Sequence, residues 1–563
     1  MNFKYTLFLF LLLSINSLFA QDRYYRYWVE LKDKDSVFDV QHPQQFLSIK
    51  SIQRREKYHI SVVENDLPVS SKYVSIISSK GFRIIHKSKW LNAIAIQTVK
   101  PNLIDSIKNL PFVINVKNLG ELKFTDEENK TEHAVDINEA LSVLESKFDD
   151  TKNKETDSNF YGKSYTQVSM LKVDQLHNLG YMGQGVTIAV LDAGFKDAKK
   201  MDVFKYSFDS SHVLGSKDFV DRVNNVFDDD DHGDGVWSCM GAYKPYQLVG
   251  SSPKANFWLF RTEYAKTESP IEETHWLAAA EFADSVGVDI ISSSLGYNNF
   301  DDKNLNYQYK DLDGKTTIIS RAASIAASKG ILVVNSAGNE GDNDWKYLVA
   351  PADAKNILTV GGIDDKNIYS SFSSIGPSAD KRIKPDVVAL GENVWVPSTS
   401  GTYYQTNGTS FSCPIITGVA ACLLQANIVR KNNEIIAALQ LSSSQYFAPD
   451  KYLGFGIPDA VLANKILGGD KDFQLSKDII LDARMLKDNK IHLTIYSSSK
   501  QKINVVLENA LDLKSQPLLK TVIDCKQGVT RVSFTQSQKI KVGTYAVYIH
   551  SKDGVNSYVF NSK

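Results

Sequence analysis

Three residues far apart in the chain, Asp192, His232 and Ser410, have side chains that together can run nucleophilic catalysis. Ser410 lies in Asn407-Gly408-Thr409-Ser410-Phe411-Ser412-Cys413-Pro414, ahead of a helical stretch through Ala420, Ala421 and Leu424. A serine at a helix start has free backbone N–H groups and the positive end of the dipole beside its hydroxyl. Small residues before it let a carbonyl approach. The same Gly-Thr-Ser pattern also serves as a plain N-cap. Asp192 ends the apolar run Val186-Thr187-Ile188-Ala189-Val190-Leu191, which reads as a buried parallel strand. In open α/β sheets, active groups sit at the carboxyl ends of such strands. His232, in Asp231-His232-Gly233-Asp234-Gly235-Val236, opens a further helix behind the run Asp228 to Asp231. Alone, it reads equally as a surface histidine or a metal ligand.

Taken together, in the order Asp, His, Ser, the three segments resemble the subtilase family of serine peptidases. Ser293-Ser294-Leu295-Gly296 is similar to that family's substrate-binding strand, and Val333 to Gly341, with Asn339, to its oxyanion segment. Lys384-Pro385-Asp386 and Gly454-Phe455-Gly456 fit the region before the nucleophile and the end of the domain. The resemblance runs over roughly residues 160 to 466. It implies an α/β, subtilisin-like three-layer fold with a central parallel sheet, acting on protein or peptide substrates. His232 would be the general base towards Ser410, and Asp192 would fix its tautomer. Asn339 and the Ser410 N–H would hold the oxyanion, and Ser294, Leu295 and Gly296 the substrate. The chemistry would need no cofactor; a structural Ca2+ is compatible with the resemblance. Asp228 to Asp231 lacks the alternating ligands and glycine of an EF-hand loop and reads as a solvated acidic loop, so no metal ligand is assigned.

Three positions depart from the family pattern. Ala193 stands where Ser or Thr is usual, which removes a hydroxyl from the Asp192 carboxylate. Asp234 replaces Thr or Ser, and Trp237 a small residue. A second carboxylate at position 234 is expected to favour the imidazolium and push the working pH upward. Asp342 to Leu348, with Trp345, is expected to wall the side-chain pocket.

The elements that must position these groups follow from periodicity. Phe257–Arg261, Val288–Ser292, Ile331–Asn335 and Ile357–Gly361 are short apolar runs like that before Asp192. Helical segments such as Trp276–Ser285 and Ile319–Ser328 separate them, so a parallel sheet covered on both faces is expected. Residues 21–124 read as β-α-β-β-α-β, with strands at Tyr25–Leu31, Phe82–His86, Trp90–Thr98 and Val113–Lys117. A basic helical insert at Gln41–Asn65 is extra to that plan. This unit resembles subtilase pro-regions, which implies an intramolecular chaperone and inhibitor; an ordinary accessory domain is the alternative. Residues 125–159 form a polar, acidic linker, and 160–469 the catalytic unit. Residues 470–563 show period-two strands with an Asp553-Gly554 hairpin turn and read as a small all-β module. On Gly543 to Ile549 that module resembles type IX secretion sorting domains, implying secretion machinery as a partner. A carbohydrate- or surface-binding sandwich is the alternative.

Bulk composition sets the remaining limits. With 563 residues the chain exceeds one hydrophobic core. Its 64 Lys and Arg against 65 Asp and Glu give no electrostatic reason for a nucleic-acid partner. Lys4, the apolar run Tyr5–Leu13 and Ala20 read as a signal peptide over residues 1–20, implying a secreted or cell-surface protein. No later segment reads as a membrane anchor. Cys239, Cys413, Cys422 and Cys525 read as buried free thiols, with a Cys239–Cys413 or Cys239–Cys422 bridge as the alternative. The expected function is that of a secreted serine endopeptidase working through an acyl-enzyme. A catalytically weak surface-binding protein of the same fold is the alternative.

Overall fold

A computed structural model of the protein describes residues 23–35, 37–123, 158–221, 225–446, 448–468, 479–485, 490–497, 499–509, 516–526, 528–535, 543–552 and 554–562. The expected signal peptide, nearly all of the 125–159 linker, and Asp553 lie outside these residues.

In the N-terminal unit, β1 (Arg23–Leu31) pairs antiparallel with both β3 (Ala93–Thr98) and β4 (Val113–Lys123), and β2 (Arg83–Ser88) pairs with β3. The sheet order is β2-β3-β1-β4. The insert forms α1 (Ile49–Tyr58), started by Ser48, whose hydroxyl accepts from the Ser51 N–H. Ser70 caps α2 (Ser71–Ser79) in the same way, and a 3-10 turn from Pro101 leads into the short α3 (Asp105–Lys108). The anticipated β-α-β-β-α-β order therefore holds, with α1 added. Strand β3 alternates alanine and isoleucine. Ile94 and Ile96 pack with Ile77 and Ile107 of the unit's own helices. Ala93 and Ala95 face the next unit, where small side chains let the sheet approach Ala279, Ala280 and Ala283.

The second unit is built on seven parallel strands. These are β5 (Thr187–Asp192), β6 (Val213–Asp218), β7 (Asn256–Arg261), β8 (Ile290–Ser293), β9 (Leu332–Ser336), β10 (Leu358–Ile363) and β11 (Val387–Leu390). Their order is β11-β10-β9-β8-β5-β7-β6. In β5, Ile188 and Val190 pack on one face with α4 (His232–Gly241) and α7 (Thr409–Ala426). Ala189 and Leu191 pack on the other with α5 (Ile271–Val286) and α6 (Ile318–Ser328). Burial on both faces is why these strands read as unbroken apolar runs. Two strands escape that reading: β6, whose sequence VLGSKD is polar and lies at the sheet edge, and β11, which has four residues. Against the expectation of no anchor-like segment, α7 is long and apolar enough to cross a membrane by length and composition. Its apolarity serves the core instead, since 89% of it is buried inside the protein.

Among the described C-terminal residues the elements are all strands: β12 (Ile479–Met485), β13 (Lys490–Ser497), β14 (Gln501–Asn509), β15 (Leu519–Cys525), β16 (Gly528–Thr535), β17 (Gly543–Ser551) and β18 (Gly554–Ser562). They form sheets β12-β13-β16 and β15-β14-β17-β18 around Leu493, Ile495, Val505, Val547 and Ile549. All four cysteines are buried, Cys239, Cys413 and Cys422 as free thiols, and burial pushes the Cys239 and Cys413 thiols up to about 12.

A buried ionic cluster joins the first two units. Arg55 reaches both oxygens of Asp284 on α5, at 2.9 and 3.0 Å, and Asp66 at 2.8 Å. Arg54 also bonds Asp284 and donates to the Val288 carbonyl at 2.7 Å. Lys329 closes the cluster on Asp66 at 3.0 Å. One turn earlier on α5, Glu281 accepts from the Ser88 hydroxyl and from the N–H groups of Lys89 and Trp90. Burial opposes the charge of Asp284, but Arg54, Lys89 and Arg55 overcome it and hold its carboxyl well below the usual range. Removing one member strands a buried charge. Arg55→Ala is therefore expected to cost about 3–5 kcal/mol, measured by urea unfolding of the full chain in a Ser410→Ala background.

Candidate active site

Asp192 is the last residue of β5, and its side chain is fully buried. Its Oδ1 accepts from His232 Nδ1–H at 2.7 Å and from the Ala193 N–H at 2.8 Å. Its Oδ2 is buried without a hydrogen-bond partner among the described residues. Ala193, the next residue, offers its backbone N–H to the other oxygen and has no hydroxyl to give. With Nδ1 turned to the carboxylate, the imidazole is held in the tautomer that leaves Nε2 open as a proton acceptor.

His232 is the first residue of α4, where Asp230 Oδ1 accepts its backbone N–H at 2.8 Å. Burial lowers the affinity of its ring for a proton, but Asp192, and then Asp230 and Asp231, outweigh it and raise the imidazole to about 9. Asp234 contributes no such charge. It is 1% exposed, both carboxyl oxygens lack hydrogen-bond partners among the described residues, and burial followed by the neighbouring aspartates raises it to about 9. It is a neutral acid at neutral pH. The expectation of an ionised carboxylate at 234 is thereby corrected: the carboxylates acting on the ring are at 192, 230 and 231. Trp237 is fully buried, stacked on Phe204 at 3.9 Å and edge-on to Phe257, and serves the core behind α4.

Ser410 is the second residue of α7, a position whose N–H has no intrahelical acceptor. Its Oγ lies 3.4 Å from the Ser294 carbonyl, and Ser294 Oγ donates to the Ser410 carbonyl at 2.8 Å. The His232 ring packs 5.8 Å from that of Phe411, the next residue. Asn339 is oriented by Thr409, whose N–H and Oγ1 both bond Asn339 Oδ1, at 2.9 and 3.0 Å. The amide is thus fixed with Nδ2 on the side facing Gly408. Thr409 escaped the sequence reading, although it directly precedes the serine.

A cleft of about 460 Å³ brings together Ser410, Asn339, Ser294, Leu295 and Gly296, with Ala193 at its edge. Glu263, Glu268 and Glu272 crowd one end. Burial, and then the nearby Asp192 carboxylate, lifts Glu263 to about 7; burial, and then Glu263, lifts Glu268 to about 8. The wall expected from Asp342 to Leu348 is instead supplied by Glu340 and Val349. Trp345 turns onto the core and donates its Nε1–H to the Leu348 carbonyl at 2.8 Å. In the acidic run, Asp229 pairs with Arg261 at 3.4 Å, and no group of three or more ligating side chains among the described residues suits a metal ion.

Residues 183–456 match the subtilase family, and residues 26–134 match the Peptidase S8 propeptide domain of the Bacteroidota. Residues 183–456 form a subtilase domain. Subtilisin amylosacchariticus of Bacillus subtilis subsp. amylosacchariticus is 27% identical over 395 residues, which are 69% of this chain and 84% of that protein. Serine protease AprX of Bacillus subtilis (strain 168) is 31% identical over 274 residues, 44% of this chain and 58% of that protein. The solved structure of MycP1 from Mycobacterium smegmatis overlaps with a TM-score of 0.44 and 21% identity, covering 56% of this chain and 87% of that one. The subtilase is a serine-type endopeptidase with an N-terminal pro-region.

Two expectations follow for this subtilase. Asp234 loses its proton near pH 4 in the unfolded chain but near 9 when folded. The native state therefore retains a proton that the unfolded chain releases, and stability falls as pH rises through that window. Asp234→Thr is expected to stabilise the fold by about 2 kcal/mol at pH 8 and by little at pH 4, read from unfolding curves at both pH values. For the candidate base, only neutral His232 accepts a proton, so kcat/KM is expected to climb with pH to a limb near 9. Asp230→Asn, which keeps the bond to the His232 N–H but removes a charge, is expected to move that limb downward in the pH profile.

Proposed function

We propose that the chain is an exported precursor that hydrolyses peptide bonds through Ser410, His232 and Asp192. The observation that carries the reading is the 2.7 Å bond from His232 Nδ1 to the buried Asp192 carboxylate, beside a cleft that holds both Ser410 and Asn339. His232 Nε2 removes the Ser410 hydroxyl proton as Oγ attacks the scissile carbonyl, and Asp192 stabilises the imidazolium that forms. Asn339 Nδ2 and the Ser410 N–H take up the charge on the carbonyl oxygen. Collapse expels the amine, which receives the proton from His232; water then repeats the sequence on the acyl-enzyme and frees Ser410.

The pro-region, residues 21–124, acts as the intramolecular inhibitor, and the 125–159 linker is the segment the enzyme cuts to mature. Residues 470–563 serve as the sorting module for a type IX machinery, and residues 1–20 as the export signal. Wild-type protein is expected to appear as two fragments divided within or near 125–159, while purified Ser410→Ala remains one chain without hydrolysis. Fluorophosphonate labelling and N-terminal sequencing of the larger fragment check both points. Equal processing of Ser410→Ala would overturn the assignment.

A further inference from the structure

The cleft wall beside Ser410 contains two glycines that face one valine. A side chain on Gly296 would begin 2.1 Å from Val349 Cγ2, and one on Gly338 would begin 2.8 Å from the same atom. Gly338 also holds φ +109°, a conformation that other residues rarely adopt. Two bare Cα positions on opposite walls would ordinarily leave a slot for a substrate side chain. Here the β-branched side chain of Val349 fills that slot and is only 4% exposed.

Val349 has little freedom to withdraw. Its N–H donates to the Ala337 carbonyl at 3.2 Å, and its carbonyl accepts from Ala352 at 2.8 Å. Its neighbour Ala350 exchanges both backbone bonds with Tyr297, at 2.8 and 3.0 Å, and Leu348 donates to Ile375 at 3.1 Å. A β-branched residue on such a pinned backbone has few rotamers to choose from.

We propose that Val349 closes the pocket for the side chain preceding the scissile bond, so that the enzyme cuts after Gly, Ala and Ser and rejects large apolar and aromatic residues there. This rests on the reading of Ser410 and Asn339 given above. Ser294, Leu295 and Gly296 on one side and Ser336, Gly338 and Asn339 on the other line the same cleft as Ser410, so a carbonyl held between Ser410 and Asn339 would place the side chain on its own α-carbon between these two segments. Val349 stands between these segments.

The test is a peptide-library digest by the self-processed enzyme, with kcat/KM measured on matched Ala and Phe substrates. Wild type is expected to prefer Ala over Phe before the cut, and Val349→Gly, which removes the whole isopropyl group, to raise the Phe/Ala ratio by at least about 10- to 100-fold, the range for a single methylene in a tight pocket. Val349→Ala should fall between them, and it carries the test should the glycine variant fail to fold. Wild type that cuts after Phe as readily as after Ala, or a ratio unmoved in a folded Val349→Ala, overturns the proposal. If Ser410 takes up a fluorophosphonate while the ratio is unmoved, only the pocket assignment falls. If the wild type neither labels nor cuts, the catalytic reading falls and takes this one with it.

Discussion

Parallel pairing in register is the constraint on which the site depends. Ser293 of β8 lies level with Leu191 of β5 and with Asn335 of β9. Asp192, Ser294 and Ser336 are each one residue beyond that line, so three segments of the cleft leave the sheet at one edge. Parallel strands require crossover connections, and those crossovers supply the helices on both faces. The height of α7 against this edge is set by polar contacts inside the core. Ser292 Oγ meets Thr417 Oγ1 at 3.1 Å, and Cys413 Sγ lies 3.6 Å from the Ser293 carbonyl. A slip of α7 along its axis would break both contacts, so they help to fix the position of Ser410 from below, alongside the bonds of Gly408 to Gly391 and of Thr409 to Asn339.

Given that frame, the electrostatics beneath His232 turn on how many buried carboxylates can stay charged. Asp192 has two donors for one oxygen and none for the other. Asp234 has none for either oxygen. Charging both in a region shielded from water would set two poorly solvated anions close together, and the group with fewer donors is the one that keeps its proton. Asp230 and Asp231, nearer to solvent, remain available to support the imidazolium. The departures at Ala193 and Asp234 thus act in different ways. One weakens the support of a charged group, and the other adds a neutral one.

The same logic governs the junction with the pro-region. Asp284 sits in the last turn of α5, where a carboxylate opposes the helix dipole. It is buried, and Arg54, Arg55 and Lys89, all of which come from the pro-region, approach it. A charge so placed is tolerable while those cations cover it. The surface presented by α5 is therefore complementary to the pro-region in charge as well as shape, with Ala279, Ala280 and Ala283 admitting the sheet and Glu281 and Asp284 receiving its donors.

What could be read from the chain, and what could not, follows from the range of the interactions. Strands such as β5 were legible because burial on both faces writes itself as a local apolar run. The edge strand β6 was not, because its polar residues carry no such signature. The candidate Asp, His and Ser were legible because each sits at the end of a recognisable element, with short motifs around them. The protonation of Asp234 depends on aspartates brought near by folding, and the orientation of Asn339 on Thr409, 70 residues away in the chain. The role of Arg54 and Arg55 depends on Asp284, 230 and 229 residues away. A basic helix reads locally as a solvated face, and only the long-range pairing turns its two arginines into a buried ionic junction between the pro-region and the second unit. The elements were local properties, whereas charge state, amide orientation and domain docking were properties of the assembled fold.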